Sequence, residues 1–497
     1  MFLYELFQNN FEILTSEFFI TLLILILLLF CVIVINTKKY SKTVLINSLN
    51  NLLIYFLIFS LILNINKPNF SITLLNGTLI FDKLTQLISS ILLIATIFFF
   101  LIQKEYILQK KILKFENSIL ILISILGLML LVSSYNLITL YLAIELQSLC
   151  FYILAASNTK SPYSSEASLK YFILGAIASG FILYGSSILY FTTGSLNFGN
   201  MLIFLSNITQ LYNLKLILTL FYGFLFILAG LLFKIGAVPF HSWLPDVYEG
   251  SPTNVTIFFA IIPKVALIGL IIRLFFDIFN DISEFFESIL YISSILSIFI
   301  GSLVSLQQKK FKRLLAYSAI GHTGFILIGL VSNSFQDIQN ILLYIIIYVI
   351  MSINLWTIYI SVNSRNNNIK YLTHFTNLLK INPVISTLLM LTLFSMSGIP
   401  PLAGFFSKMF IFYSAIKQSV ISLAIIGILL SVVSSFYYIR LIKISYFDNS
   451  KNFMFLDKIS KTNSIVIALS SQFILFFFLF IEYLLVFLEK ISLLFIL

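Results

Sequence analysis

Long apolar runs alternate with short polar interruptions along the whole chain. A helix needs about 20 mostly apolar residues to cross the hydrocarbon of a bilayer. Fourteen segments meet that requirement: 18–35, 44–65, 84–102, 118–134, 137–156, 168–191, 214–236, 253–273, 288–306, 314–332, 338–362, 383–399 continuing through 402–416, 420–440 and 464–488. Two junctions strain the count. The gap at 134–137 is short, and Pro400 and Pro401 interrupt the twelfth segment.

The basic residues test this division. Loops after odd-numbered spans hold 19 Lys and Arg, and loops after even-numbered spans hold 4: Lys67, Lys83, Arg273 and Lys417. A missed or invented span would scramble the alternation from that point on, and it does not scramble. By the positive-inside rule the odd loops face the matrix or cytoplasm, and both termini face the other side.

Composition agrees. Hydrophobic residues make up 60% and charged residues 10%, with a mean hydropathy of +1.05. A soluble domain is roughly 45–50% apolar and about 25% charged. The expectation is an all-α integral membrane protein, and a soluble fold, disorder, a disulfide scaffold and a collagen-like rod are excluded. Cys31 and Cys150 are too few for an iron–sulfur cluster or a structural zinc. Neither nucleotide-binding glycine signature is present. The net charge of +11 resides in membrane loops rather than on a nucleic-acid-binding face. Phe, Tyr, Ile, Leu and Asn accumulate as they do under AT-rich coding, which points weakly to an organelle genome. No signal or transit peptide is visible at the start, which fits synthesis in the compartment where the protein works, or in a bacterium.

Most of the remaining charges lie near span ends, where long side chains reach the interface. Lys234, Lys264 and Lys408 do not, and Glu145 is read as the one carboxylate in mid-span. Each ionisable group at the bilayer centre costs roughly 2.5–3.5 kcal/mol on insertion scales, so four facing lipid would cost on the order of 10–14 kcal/mol. They must face protein or water. The plain alternative is a set of structural ion pairs locking the bundle. Three lysines against one glutamate do not balance as such a set would. Buried, unbalanced amines are groups that exchange protons, and inside a membrane that suits a proton path.

Two spans are broken beside these lysines. One reads Lys234-Ile-Gly236-Ala-Val-Pro239-Phe-His241, the other Gly398-Ile-Pro400-Pro401-Leu-Ala-Gly404-Phe-Phe-Ser407-Lys408. A single proline kink is often mere packing. Broken helices at membrane depth are tolerated where they are buried in protein or line a wet cavity, and in transporters they mark ion sites. The breaks fall five spans apart. A five-helix unit repeated once would be inserted upside down the second time, which suggests two inverted repeats, 118–273 and 288–440, after three helices in 1–117 and before a last helix in 441–497.

The stretch Leu232-Phe-Lys-Ile-Gly-Ala-Val-Pro-Phe-His-Ser-Trp-Leu-Pro-Asp-Val-Tyr-Glu-Gly-Ser-Pro252 closely resembles the central motif of the antiporter-like membrane subunits of respiratory complex I. Its ending, Asp246 to Pro252, is similar to subunit 2 rather than to subunits 4 or 5. Further similarities are Tyr141-Leu-Ala-Ile-Glu145-Leu-Gln-Ser-Leu, Glu166-Ala-Ser-Leu-Lys170-Tyr-Phe, Lys312-Arg-Leu-Leu-Ala-Tyr317-Ser-Ala-Ile-Gly-His322 and the Gly398–Lys408 stretch. Together they cover about 137–445 in family order. The resemblance implies a proton relay in which Glu145 pairs with Lys234, Lys264 is the central group and Lys408 passes the proton on. Lys170, His241, Tyr317 and His322 match positions along or near that polar axis; for Tyr317 and His322 the alternative is a satisfied interface group. It also implies that this chain binds no cofactor. NADH, FMN, iron–sulfur clusters and ubiquinone are then expected in other subunits, and the partners are the other membrane-arm subunits, including neighbouring antiporter-like ones, and the lipid bilayer. The expected function is outward proton movement coupled to quinone reduction elsewhere, in the mitochondrial inner membrane. A sodium–proton antiporter assembly, a membrane hydrogenase, a plastid complex and a non-pumping scaffold subunit remain the alternatives.

Overall fold

The computed structural model describes residues 12–37, 42–68, 71–110, 115–211, 214–280, 283–362, 369–448 and 458–496. Lys38, Lys39, Lys111, Lys114, Arg365 and Lys451, counted above among the odd-loop cations, lie outside the described residues. Lipid offers the backbone no hydrogen-bond partners, so a chain this apolar satisfies its N–H and C=O groups within helices.

The helices, in chain order, are α1 (Thr15–Thr37), α2 (Lys42–Ile65), α3 (Lys83–Lys110), α4 (Glu116–Ser133), α5 (Leu137–Ala155), α6 (Pro162–Thr193), α7 (Phe198–Leu211), α8 (Leu214–Ile235), α9 (Trp243–Gly250), α10 (Thr253–Arg273), α11 (Glu284–Gln307), α12 (Phe311–Val331), α13 (Phe335–Val362), α14 (Pro383–Ser397), α15 (Ala403–Lys417), α16 (Ile421–Tyr446) and α17 (Lys461–Ile496). Among the described residues 13 helices are long and apolar enough to cross a membrane. The pair α14 and α15, 15 residues each, supplies the remaining, broken span. This is an all-α integral membrane protein, and its spans correspond one for one to those expected.

Three features were not anticipated. A hairpin, β1 (Ile72–Leu74) and β2 (Leu79–Phe81), turns through Asn76 and Gly77, both in the left-handed region. Its strands are three residues each, too short to leave an alternation in the sequence. The helices α7 and α9, with 14 and 8 residues, fall below spanning length. Several spans also run beyond their apolar limits. The helix α6 begins at Pro162, a favourable first position, and α17 extends over 36 residues.

Helices α10, α12 and α13 form the centre and are buried almost throughout. Helices α1, α6, α16 and α17 surround them and present apolar outer faces, for example Leu29, Ile173, Val432 and Phe480. Between helices in lipid, tight packing replaces the hydrophobic drive, and small residues permit it. A Cβ on Gly301 would lie 2.6 Å from the Gly321 nitrogen, and one on Gly324 would lie 2.2 Å from Ser297 Oγ. The backbones of α11 and α12 are therefore in contact.

Loop contacts sort onto two ends. At one end Lys310 and Arg313 meet Glu249, Lys170 meets Asp246, and Phe311 N donates to Lys370 O (3.0 Å). At the other, Tyr135 N donates to Thr78 O (2.9 Å), Leu137 N to Leu196 O (3.1 Å), and Arg273 to Asp82 (2.7 Å). The first set joins loops after odd spans, the second loops after even ones. We call them the basic end and the outer end.

Cysteine placed at Lys309 and, separately, at Asn76, both exposed, should react with a membrane-impermeant maleimide from opposite sides of sealed vesicles. The native Cys31 and Cys150 are buried and should stay silent. Labelling of both positions from one side would contradict the span count.

Candidate functional site

The two broken spans are built alike. In the first, Gly236 (φ 81) closes α8: its N–H donates to Leu232 O and Phe233 O, both at 3.0 Å, and Ala237 N donates to Leu232 O at 2.9 Å. In the second, Gly398 (φ 91) closes α14 with the same pattern, donating to Phe394 O (3.1 Å) and Ser395 O (3.0 Å) while Ile399 N donates to Phe394 O (3.1 Å). Both are helix ends that need a left-handed residue, hence glycine. Such an end carries partial negative charge, which favours a cation. Lys234 lies in the last turn of α8. Lys408 reaches back from α15 to donate to Met396 O (3.0 Å) and Ser397 O (2.9 Å). That return is possible because Gly404 passes close to α14, where a Cβ would lie 1.8 Å from Ser395 O.

A run of polar groups leads into the bundle from α5. Glu145, Ser148 and Tyr152 are spaced to share one helix face. Ser148 Oγ donates to Glu145 Oε2 at 3.3 Å and also faces the Tyr152 hydroxyl. Lys234 Nζ donates to the Tyr152 hydroxyl at 3.5 Å. Glu145 and Lys234, expected within direct or one-water reach, are linked through the hydroxyls of Ser148 and Tyr152: among the described residues no ion pair joins them. The physical reason is local. Glu145 is half-buried at the edge of the bundle, and Ser148, one turn along the same helix, takes its carboxylate.

Lys234 and Lys264 line one internal cavity of about 20 Å³, shared with Gln147, Trp243 and Tyr248. That volume admits a water. Lys264 Nζ donates to Ala319 O of α12 at 3.2 Å and stands 5.5 Å from the Tyr348 ring centroid. One turn further along α12 is His322, buried and flanked by Lys264 and Lys408. Its Nδ1 is 2.6 Å from the Tyr344 hydroxyl and its Nε2 3.2 Å from that of Tyr438. A second small cavity, about 10 Å³, is lined by His322, Lys408 and Tyr438. Lys234, Lys264 and Lys408 form no ion pair among the described residues.

Three residues grouped with this axis lie elsewhere. Lys170 is on the outer surface, its side chain 44% exposed and bound to Glu166 (2.8 Å) and Asp246 (3.0 Å). With α6 beginning at Pro162, it sits two turns into the helix on an outward face. Tyr317 is half-buried on the basic-end portion of α12, bonded to Arg313. His241 is in the loop between α8 and α9 and does not line the cavity.

Sequence reasoning missed the tyrosines along the axis: the hydroxyl of Tyr152 on Lys234, those of Tyr344 and Tyr438 on His322, and the ring of Tyr348 beside Lys264. A tyrosine two turns from Glu145 was the one signal to be had. It also missed carboxylates near span ends. Glu17 is buried against Lys67 (3.0 Å), and Glu105 accepts a hydrogen bond from Ser460 (2.6 Å). Glu145 is not the sole carboxylate inside a long apolar helix, since Glu482 lies well within α17 and is exposed.

Residues 134–434, more than half of the chain, match the family model of the NADH:quinone oxidoreductase/Mrp antiporter transmembrane region. NADH-ubiquinone oxidoreductase chain 2 of Marchantia polymorpha is 41% identical over 480 residues, covering 96% of each chain. NADH-quinone oxidoreductase subunit N of Pelagibacter ubique is 40% identical over 445 residues, 89% of this chain and 91% of its own. The chain belongs to the antiporter-like membrane subunits of complex I, in the chain 2/subunit N branch. It is a subunit of an enzyme complex rather than a self-contained enzyme. The fold agrees with the complex I structure from Thermus thermophilus with bound aureothin (TM-score 0.76, 24% identity, 95% of this chain and 98% of that one). It agrees equally with an Mrp complex chain from Dietzia (TM-score 0.78, 15% identity, 97% of each).

Tyr152→Phe removes the hydroxyl between α5 and Lys234 and little volume. The complex should assemble, because one buried hydrogen bond contributes only about 0.5–1.5 kcal/mol. NADH-driven proton uptake should slow by roughly tenfold if the hydroxyl carries the connection, equivalent to ~1.4 kcal/mol on the barrier. An unchanged rate in reconstituted complex would remove Tyr152 from the path.

Proposed function

We propose that this chain is a proton-translocating membrane-arm subunit of NADH:quinone oxidoreductase and moves protons through the amines of Lys234, Lys264 and Lys408. The observation that carries this is the run of buried polar groups from Glu145 through Tyr152, Lys234, the first cavity and Lys264 to His322 and Lys408, in which the three amines form no ion pair among the described residues.

Structural ion pairs hold their charge fixed. These amines instead bond hydroxyls and backbone carbonyls, partners that serve a lone cation and leave a neutral amine intact. Three unpaired cations in one low-dielectric core repel strongly, so they do not all hold protons at once. Charge arriving at Glu145 changes which amine is protonated. A proton on Lys234 is drawn toward the carboxylate, and Lys264 is then free to take one. The water-sized cavity connects the two. His322, between two tyrosine hydroxyls, connects Lys264 to Lys408, which passes the proton on to one side. The drive comes from quinone reduction in other subunits. Neighbouring membrane-arm subunits supply the charge at Glu145, which lies at the edge of the bundle. With plant mitochondrial relatives and basic loops on one end, we place the chain in the mitochondrial inner membrane with both termini toward the intermembrane space.

Lys408→Gln keeps N–H donors for the carbonyls of Met396 and Ser397 and removes the charge. Lys408→Met would confuse the two effects, because unpaired buried carbonyls cost about 1–3 kcal/mol each. The glutamine variant should assemble and pump fewer protons per electron, measured as ΔpH formation against NADH oxidation in proteoliposomes. Assembly with an unchanged proton-to-electron ratio would make Lys408 structural.

A further inference from the structure

Beyond Lys264, toward the outer end, α10 carries no polar side chain until its last residue: Val265 to Ile272 are all apolar and buried. The run ends at Arg273, about 14 Å along the helix axis from Lys264. The arginine side chain is fully buried. Nη2 donates to Asp82 Oδ2 at 2.7 Å, while Nε and Nη1 have no hydrogen-bond partner among the described residues. Asp82 is itself fixed, since its Oδ1 accepts from Thr85 N (2.7 Å) and its own N–H donates to Thr85 Oγ1 (2.9 Å). Phe495 of α17 covers the guanidinium at 5.7 Å. Asp277, in the π-turn that follows, and Tyr135 are the other titratable groups facing it.

The basic end of the same helix is different. It opens with Thr253, beside a cavity of about 340 Å³, and Asn254, whose Oδ1 is buried and unpartnered. Between Lys264 and either end the helix is apolar, from Pro263 back to Ile257 and from Val265 on to Ile272; the basic mouth then opens on the neutral polar side chains of Thr256, Asn254 and Thr253, whereas the outer mouth carries a buried cation, Arg273. Asp82 matches the charge of Arg273 but bonds only one edge of the guanidinium. Two N–H-bearing nitrogens are left over. A fixed cation in a low-dielectric constriction excludes protons and cations, while an apolar run denies them water.

We propose that Arg273, held in place by Asp82, is an electrostatic seal that keeps protons of the outer solution from reaching Lys264. This rests on Lys264 being a relay group. The seal is tested without turnover, so its failure is distinguishable from failure of the relay. The whole complex is reconstituted in liposomes, and the decay of an imposed ΔpH is followed with NADH absent. The double variant Arg273→Met with Asp82→Asn removes both charges and keeps the packing; Arg273→Gln with Asp82→Asn is read the same way if the first double variant does not assemble. The expected result is a ΔpH decay roughly tenfold faster than that of the native complex. Arg273→Lys, which keeps the charge, should remain tight. Adding Lys264→Met to the leaking variant should restore the slow decay. A charge-free variant as tight as the native complex overturns the proposal. So does a leak in Arg273→Lys equal to that of the double variant, which would make the effect one of packing. A leak that survives Lys264→Met overturns it as well, because the opened route would then not lead to that lysine.

Discussion

The cost of an ammonium group in hydrocarbon constrains this structure more than any single contact. Roughly 2.5–3.5 kcal/mol per charge forces each mid-span lysine away from lipid. The three lysines therefore draw helices around themselves, and all three are buried. What each finds there is not a carboxylate but an oxygen that belongs to something else: the phenol of Tyr152, the backbone at Ala319, the carbonyl end of α14. The broken spans follow from the same demand. A continuous helix has no free carbonyls in its middle, and breaking one at a glycine creates them at membrane depth.

Buried charge is handled in two ways in this molecule. At the outer end, Lys67 with Glu17 and Arg273 with Asp82 are matched pairs that tie helix ends together. Breaking such a pair costs about 3–5 kcal/mol because it leaves one charge alone, and this rigidity suits a scaffold. Along the middle the amines are unmatched, so gaining or losing a proton does not strand a partner. At the basic end, contacts such as Lys310 with Glu249 are partly solvated, and the carboxylate holds the Lys310 amine above its ordinary range. The raised lysine value sets the alkaline limit: the pair persists through neutral pH and is lost as pH rises through that value.

Much of this was legible in the sequence because lipid is an undemanding solvent to read. Span number, the side of each loop, the two breaks and the three interior lysines all follow from where apolar runs stop and where charge interrupts them. The connections did not follow. A tyrosine in an apolar helix looks like packing, and nothing in a single span shows that Tyr344 and Tyr438 converge on His322 from two other helices. Lys170 was misplaced for the opposite reason. Its partner Asp246 is 76 residues away, on a helix too short to show in the apolar pattern. Glu145 and Lys234 were expected within direct or one-water reach; that the link runs through Ser148 and Tyr152 of α5 itself, whose hydroxyls fill the gap, did not show.

The central claim is that Lys264, with no ion-pair partner among the described residues and at the middle of the run, changes protonation in each cycle. Lys264→Gln tests it most directly, because it keeps an N–H donor for the Ala319 carbonyl and carries no exchangeable charge. The variant complex, reconstituted in liposomes, is assayed for NADH oxidation and proton translocation together. The account predicts an assembled complex whose proton-to-electron ratio, or coupled turnover, falls below that of the native enzyme. A complex that assembles, oxidises NADH and pumps at the native ratio without that amine would contradict it.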